Sequence, residues 1–196
     1  MTLEPLDTET LHKIFVQPRT AYRFTHQEVT EEQLRTIYDL TKMGPTAFNS
    51  QPLRLTFLRS TTARERLLPH VAPSNQPQIQ QAPVSAILSF DTCWVDKFEQ
   101  FNPSMAHAAQ KFSREESRLH SAEQSATLSA GYLITAIRAL GLSAGPMTGA
   151  NFSAINQEFF PDGKQRAFMI VNIGYSTPTP YKRNPRFSFE EVAEIL

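Results

Sequence analysis

The sequence predicts an α+β fold, with one mixed or antiparallel central sheet flanked by helices in a single domain spanning residues 1-196. Three observations lead there. Strand-like segments beginning at Leu53, Val84 and Arg166 are separated by helical stretches of very unequal length, so the regular alternation of a doubly wound nucleotide fold is missing. The longest helical pattern carries small residues along one face, as a helix packed against a sheet or a second copy would. A chain of 196 residues, 40% of them hydrophobic, is enough for one sizeable core.

The elements follow in order. The opening "MTLEPLDTETL" has neither a basic nor an apolar region and does not read as a signal peptide. Thr30 with Gln33 forms a capping box, and Leu34, Ile37, Tyr38 and Leu40 supply the apolar face of a helix that stops near Gly44-Pro45. "LRLTFLRS" from Leu53 alternates as a strand does, and Thr61 or Thr62 then caps "ARERLLPH". "APSNQPQIQQAP" reads as a loop leading into the apolar strand that starts at Val84. From Trp94 to Leu119 the pattern is mixed and predicts short helices in an excursion from the core. Ser121 with Gln124 opens the long helix that Gly141 ends; its face is Ala122, Ser125, Ala126, Ser129, Ala130, Leu133 and Ile137. "GLSAGPMTGAN" reads as a turn-rich loop, "FSAINQEFF" as a short helix and "RAFMIVNIGYS" as a buried strand. The chain closes with an extended basic stretch and a helix capped by Ser188 and Glu191.

Charge and cysteine content exclude several function classes. With 19 basic and 19 acidic residues, no global field recruits nucleic acid or an anionic membrane, so an anionic ligand needs a local cluster. The longest apolar run, from Ser125, includes Arg138 and several hydroxyls and reads as a buried helix, not a membrane span. A lone cysteine, Cys93, excludes an intrachain disulfide and any multi-cysteine metal site, fits a reducing cytoplasm, and reads as a buried small hydrophobe. His12, His26 and His70 are too scattered for a metal site, and His107 and His120 read as solvent-exposed or capping rather than as contacts for a substrate carboxylate. Arg114 and Arg118, one turn apart, are either a carboxylate clamp or helix surface.

Three loops combine small residues and prolines with amides or guanidinium groups: Pro45 to Pro52, Ala144 to Gly149, and Tyr181 to Arg186. In the second, Gly145 permits and Pro146 restricts an unusual backbone, leaving Met147 and Thr148 to present N–H groups. The third places Lys182, Arg183 and Arg186 within five residues.

Together with Arg19 and Thr20, these loops resemble, in order and over almost the whole chain, the nitroreductase-like flavoprotein family. "GPTAFNSQP" is similar to its flavin-lining signature, "GPMTG" to the loop whose backbone N–H points at flavin N5, and "VNIGY" with "KRNPR" to the strand and phosphate clamp. The resemblance implies a nitroreductase-like fold, a homodimer with an extended C-terminal segment, FMN as cofactor, and NADPH or NADH as electron donor. It implies that Arg19, Thr20, Arg183 and Arg186 hold the phosphate, and that Asn49 and Gln51 meet the ribityl chain and pyrimidine edge. Pro45, Thr46 and Ala47 would let the ring lie close, part of their loop reaching the partner's flavin. Pro146, Met147, Thr148 and Gly149 would line the ring, with the Thr148 N–H beside N5. No side-chain nucleophile and no metal is required. Asn75 and Gln78 stand where the family keeps an Asn-x-x-Lys pair, so one cation near the flavin is lost. "LGLSAGPMTG" and "RNPRFSFEEV" are similar to a short branch of the family that reduces malonic semialdehyde in pyrimidine breakdown. A general nitro or quinone reductase, or a flavin-binding sensor, are the alternatives.

Overall fold

The computed structural model describes residues 4–179 and 182–196. In chain order it contains α1 (Thr8–Leu11), continued by wide helical turns over His12–Val16, then α2 (Glu31–Thr41), β1 (Leu53–Leu58), α3 (Thr61–Leu67), α4 (Gln76–Gln81) and β2 (Val84–Asp91). There follow α5 (Phe98–Phe101), α6 (Glu115–Ala139), β3 (Ser143–Met147), α7 (Phe152–Phe159), β4 (Gln165–Gly174) and α8 (Phe189–Val192).

The strands form one four-stranded sheet in the order β1-β2-β4-β3, and every adjacent pair is antiparallel. The sheet is therefore antiparallel rather than mixed. Side-chain alternation along the central strands divides the core in two. Val84, Ala86, Leu88, Val171 and Ile173 face α2 and α6, meeting Leu34, Ile37, Leu133 and Ile137. Ile87 and Ile170 face the other way, onto Leu67 of α3, Ile79 of α4 and Ile155 of α7. Helices thus cover both faces, which explains why β2 and β4 read as apolar runs.

Several boundaries differ from expectation. The long helix starts at Glu115, six residues before the Ser121 box, and ends in a Schellman motif: Gly141 (φ 72°) donates to Arg138 O and Leu142 to Ile137 O. Its small-residue face is buried in its own chain, against the sheet and α2, and is not the surface offered to a second copy. Tyr38 and Leu40 are exposed, and Thr41 completes the buried face of α2 instead. Ser60, not Thr61 or Thr62, caps α3 by accepting from the Ala63 N–H at 3.1 Å. The Pro/Gln stretch contains α4, with Pro77 in the first turn where its missing N–H costs nothing. "GLSAGPMTGAN" contains strand β3; Pro146 is tolerated there because β3 lies at the sheet edge.

Cys93 is exposed, which corrects its reading as a buried hydrophobe; Asp91 instead accepts its backbone N–H at 2.7 Å. Arg118 is not half of a clamp: its Nε donates to Thr92 O at 3.1 Å, tying α6 to the end of β2. The excursion packs as a small aromatic core of Trp94, Phe98 and Phe112. No helix among the described residues is long and apolar enough to cross a membrane.

Candidate functional site

The site grows from the segment Pro18–Thr25, which crosses the ends of β3 and β4. Ala21 donates to Ala144 O at 3.0 Å, Thr25 to Tyr175 O at 2.8 Å, and Thr177 returns a bond to Arg23 O at 3.2 Å. Ala21 and Phe24 are buried, so the segment is anchored by these side chains and by backbone pairing. Gly145 is needed for this approach: a Cβ there would lie 2.5 Å from Ala21 O.

Anchoring Ala21 and Phe24 leaves Arg19, Thr20, Tyr22 and Arg23 to line two clefts. One, of about 640 Å³, is shared with Lys182, Arg183 and Arg186 from the returning C-terminal segment and with Gln78 of α4. The other, of about 740 Å³, is shared with Lys13 and Ile14, and with Leu142 and Ser143 at the start of β3. Neither lining includes a carboxylate. In a chain of balanced charge this concentration of cations gives the clefts a local positive potential suited to an anion.

The C-terminal segment is tied directly to the segment it faces. Arg183 Nη2 donates to Val16 O and to Pro18 O, the second at 2.9 Å, and Arg19 Nη2 donates to Lys182 O at 2.9 Å. Arg186 bonds to the carbonyls of Asn184 and Pro185 beside it. Tyr181, the first residue of the basic run, lies outside the described residues.

Arg138, in the last turn of α6, lines both clefts. Its Nε is buried and has no hydrogen-bond partner among the described residues. Burial pushes its pKa down, and the positive charge of Arg183 adds to the shift. A half-buried guanidinium held beside a second cation, with a donor unused, is the arrangement that an anion completes. A phosphate group fits this chemistry: planar donors, several positive charges and the Thr20 hydroxyl converge on one cleft. Sequence reasoning missed Arg138. The only signal was a cation near a helix C-terminus, which is more often a dipole partner.

β3 carries the site away from the cations toward Thr148 and Gly149, which are exposed. Asn75 Nδ2 donates to Gly149 O at 3.1 Å, and Ala72 N–H to the same carbonyl at 2.9 Å. A Cβ on Gly149 would fall 2.8 Å from Asn75 Nδ2, so the glycine keeps this approach open. Pro146, Met147, Thr148, Gly149 and Asn75 are thus joined through β3 and α4 to Arg19, Thr20, Arg183 and Arg186.

The loop Pro45–Gln51 is not part of that assembly within this chain. It lies against α6 and the excursion: Ala47 N–H donates to Ser125 Oγ at 3.3 Å and Asn49 Nδ2 to Phe101 O at 3.0 Å. Thr46 and Gln51 line a separate cleft of about 440 Å³ with Lys97 and Phe101. Pro45, Ala47 and Asn49 are exposed.

Comparison with known proteins identifies the family and the fold. The model of the family described as Nitroreductase family matches residues 16–175. A protein of Streptomyces coelicolor provisionally named NADH dehydrogenase/NAD(P)H nitroreductase is 42% identical over 193 residues, covering 97% of this chain and 98% of its own. A Rhodopseudomonas palustris protein of the same provisional name is 40% identical, covering 95% of each chain. Among solved structures, a provisionally named nitroreductase from Exiguobacterium sibiricum in complex with FMN superposes with a TM-score of 0.84 at 17% identity, covering 100% of both chains. One from Bacillus subtilis gives 0.83 at 18% identity, covering 96% of this chain and 99% of its own. Structural likeness at such identity speaks for the fold, whereas the family match and the close relatives speak for descent: the chain belongs to the Nitroreductase family.

Proposed function

We propose that the protein is an FMN-dependent NAD(P)H oxidoreductase that works as a homodimer. The observation that carries this reading is the carboxylate-free cleft that Arg19, Arg138 and Arg183 line together with Thr20. Further support comes from the FMN bound to the Exiguobacterium protein and from the names of the close relatives.

In this reading the cleft holds the FMN phosphate, Arg19, Arg138 and Arg183 supplying charge-assisted donors and Arg186 adding positive potential at the rim. Gly149 allows the close approach of Asn75, and the exposed Thr148 would present its N–H to the flavin ring, where negative charge develops on reduction. Gln78, where the family resemblance implies a cation, is neutral, and Arg23 and Arg138 line the same cleft. FMN, when bound, would supply two-electron hydride chemistry between the nicotinamide and the acceptor. Asn49 and Gln51 reach the flavin of the partner subunit, since neither lines the cation-bearing clefts of its own chain. The uncharged exposed side chains Leu128 and Tyr132 support a dimer.

For the acceptor, the motif "RNPRFSFEEV" supports malonic semialdehyde, reduced to 3-hydroxypropionate. The relatives' names favour a broader nitro reductase as the second reading. An anaerobic experiment separates them: protein reduced by NADPH or NADH is mixed with malonic semialdehyde or a nitrofuran, and flavin reoxidation is followed by absorbance. Reoxidation by the aldehyde is expected. Reoxidation by the nitro compound alone selects the second reading, and failure of both nicotinamides to reduce bound FMN leaves a binding protein.

A further inference from the structure

Phe48, Asn49 and Gln51 have φ values of 55°, 52° and 43°, so three non-glycine residues out of four occupy left-handed conformations. Such a run is unfavourable in isolation and persists only where surrounding groups dictate it. Some of those groups belong to the loop itself: Gln51 N–H donates to Thr46 Oγ1 at 3.1 Å and Gln51 Nε2 to Asn49 Oδ1 at 3.2 Å. The others belong to the excursion. Asn102 Nδ2 donates to Phe48 O at 3.2 Å, and Asn49 Nδ2 donates back to Phe101 O at 3.0 Å. The Phe48 ring lies 5.9 Å from Phe98 and 5.6 Å, edge-on, from Phe112, with the Lys111 ammonium 6.0 Å from its centre.

The loop therefore alternates in role. Phe48 and Ser50 turn inward as anchors, while Ala47 and Asn49 face solvent. Burying the Phe48 ring in the aromatic cluster fixes where the next side chain points.

We infer that Asn102 is a positioning residue: with the aromatic seat of Phe48, it holds the left-handed turn that presents Asn49 to its ligand, so the excursion is mechanically coupled to the flavin site. This rests on the reading of Asn49 as a flavin contact. Asn102 touches no reacting atom. Its amide N–H fixes the Phe48 carbonyl, and without it the turn relaxes toward ordinary backbone angles and Asn49 loses its aim.

The test uses the full-length holoprotein and Asn102→Asp, which keeps the size of the side chain but replaces the donor by an acceptor facing a carbonyl. FMN affinity, the visible circular dichroism of the bound flavin, and the fluorescence of Trp94 are measured together. Trp94 is the only tryptophan in the chain and sits 4.8 Å from Phe112. The expected result is FMN binding weakened about tenfold, the scale of one misplaced hydrogen bond, with an altered flavin dichroism. Phe112→Leu, which loosens the Phe48 seat without touching the loop backbone, should move both readouts the same way and less. Should Asn102→Asp fail to fold, Phe112→Leu decides alone. Lowered thermal stability with FMN affinity and dichroism unchanged would show a merely structural role and overturn the inference. A wild-type protein that binds no FMN would overturn the functional reading instead, an outcome that this experiment registers separately.

Discussion

On the proposed reading, Arg138 would cost stability in the empty protein and recover it when an anion binds. Its guanidinium is partly withdrawn from water, its Nε has no partner among the described residues, and Arg183 sits close enough to depress its pKa further. Both effects disfavour the charged form without an anion and are relieved by one. Arg138→Gln should therefore leave the apo protein as stable as wild type or slightly more so, while weakening FMN by roughly tenfold to a hundredfold, the worth of a charge-assisted hydrogen bond. Thermal melts of apo protein alongside FMN titrations measure the two effects separately. A parallel loss of apo stability and affinity would make Arg138 a packing residue.

At the scale of elements, β3 connects the cation cluster to the open end of the site, and its spacing against the Pro18–Thr25 segment is set by Gly145. Adding one methyl group there brings it against the Ala21 carbonyl, a backbone atom that cannot rotate away. Gly145→Ala should cost about 1–3 kcal/mol in urea unfolding, as overpacking does. It should also weaken FMN, because the whole Arg19-bearing segment must shift. Elements differ in how much the sequence discloses for reasons visible in the same region. α2, β2 and β4 are legible because their capping box and apolar runs are local signals. β3 is not, because Ser143, Gly145 and Pro146 are poor strand formers and only pairing with β4 makes them one. The start of α6 escapes for a related reason: Arg114 offers no side-chain cap, so the first turns rely on tertiary contacts such as Trp94 Nε1 to Arg118 O at 3.0 Å. The site follows the same pattern. Arg183 stands out in a run of cations, Arg19 only through the family resemblance, and Asn49 as part of an unusual loop. The cleft that Arg138 shares with a segment more than a hundred residues earlier has no local signature.

At the scale of the molecule, the two halves of the proposed site lie apart within one chain, and a second copy is what would unite them. The outer face of α6 shows what that copy would touch. Gln124, Thr127, Leu128, Gly131 and Tyr132 are exposed along successive turns without a charge among them, and Leu128 and Tyr132 are 48% and 42% accessible. Tyr38, Leu40 and Met43 extend this surface at the neighbouring α2. Exposed apolar side chains are ordinary when scattered, but contiguous ones facing away from the core are costly to leave in water. Leu128→Glu places a charge in the middle of the stripe without touching the buried face that packs on the sheet. The folded monomer should survive it, with unfolding changed by less than about 1 kcal/mol as for an exposed substitution. Its sedimentation should shift from dimer toward monomer, and FMN occupancy should fall in step with the dimer fraction, since Asn49 and Gln51 would no longer meet the partner's flavin. Full FMN binding by a monomeric variant would mean that each chain builds its site alone, and would remove the Pro45–Gln51 loop from it.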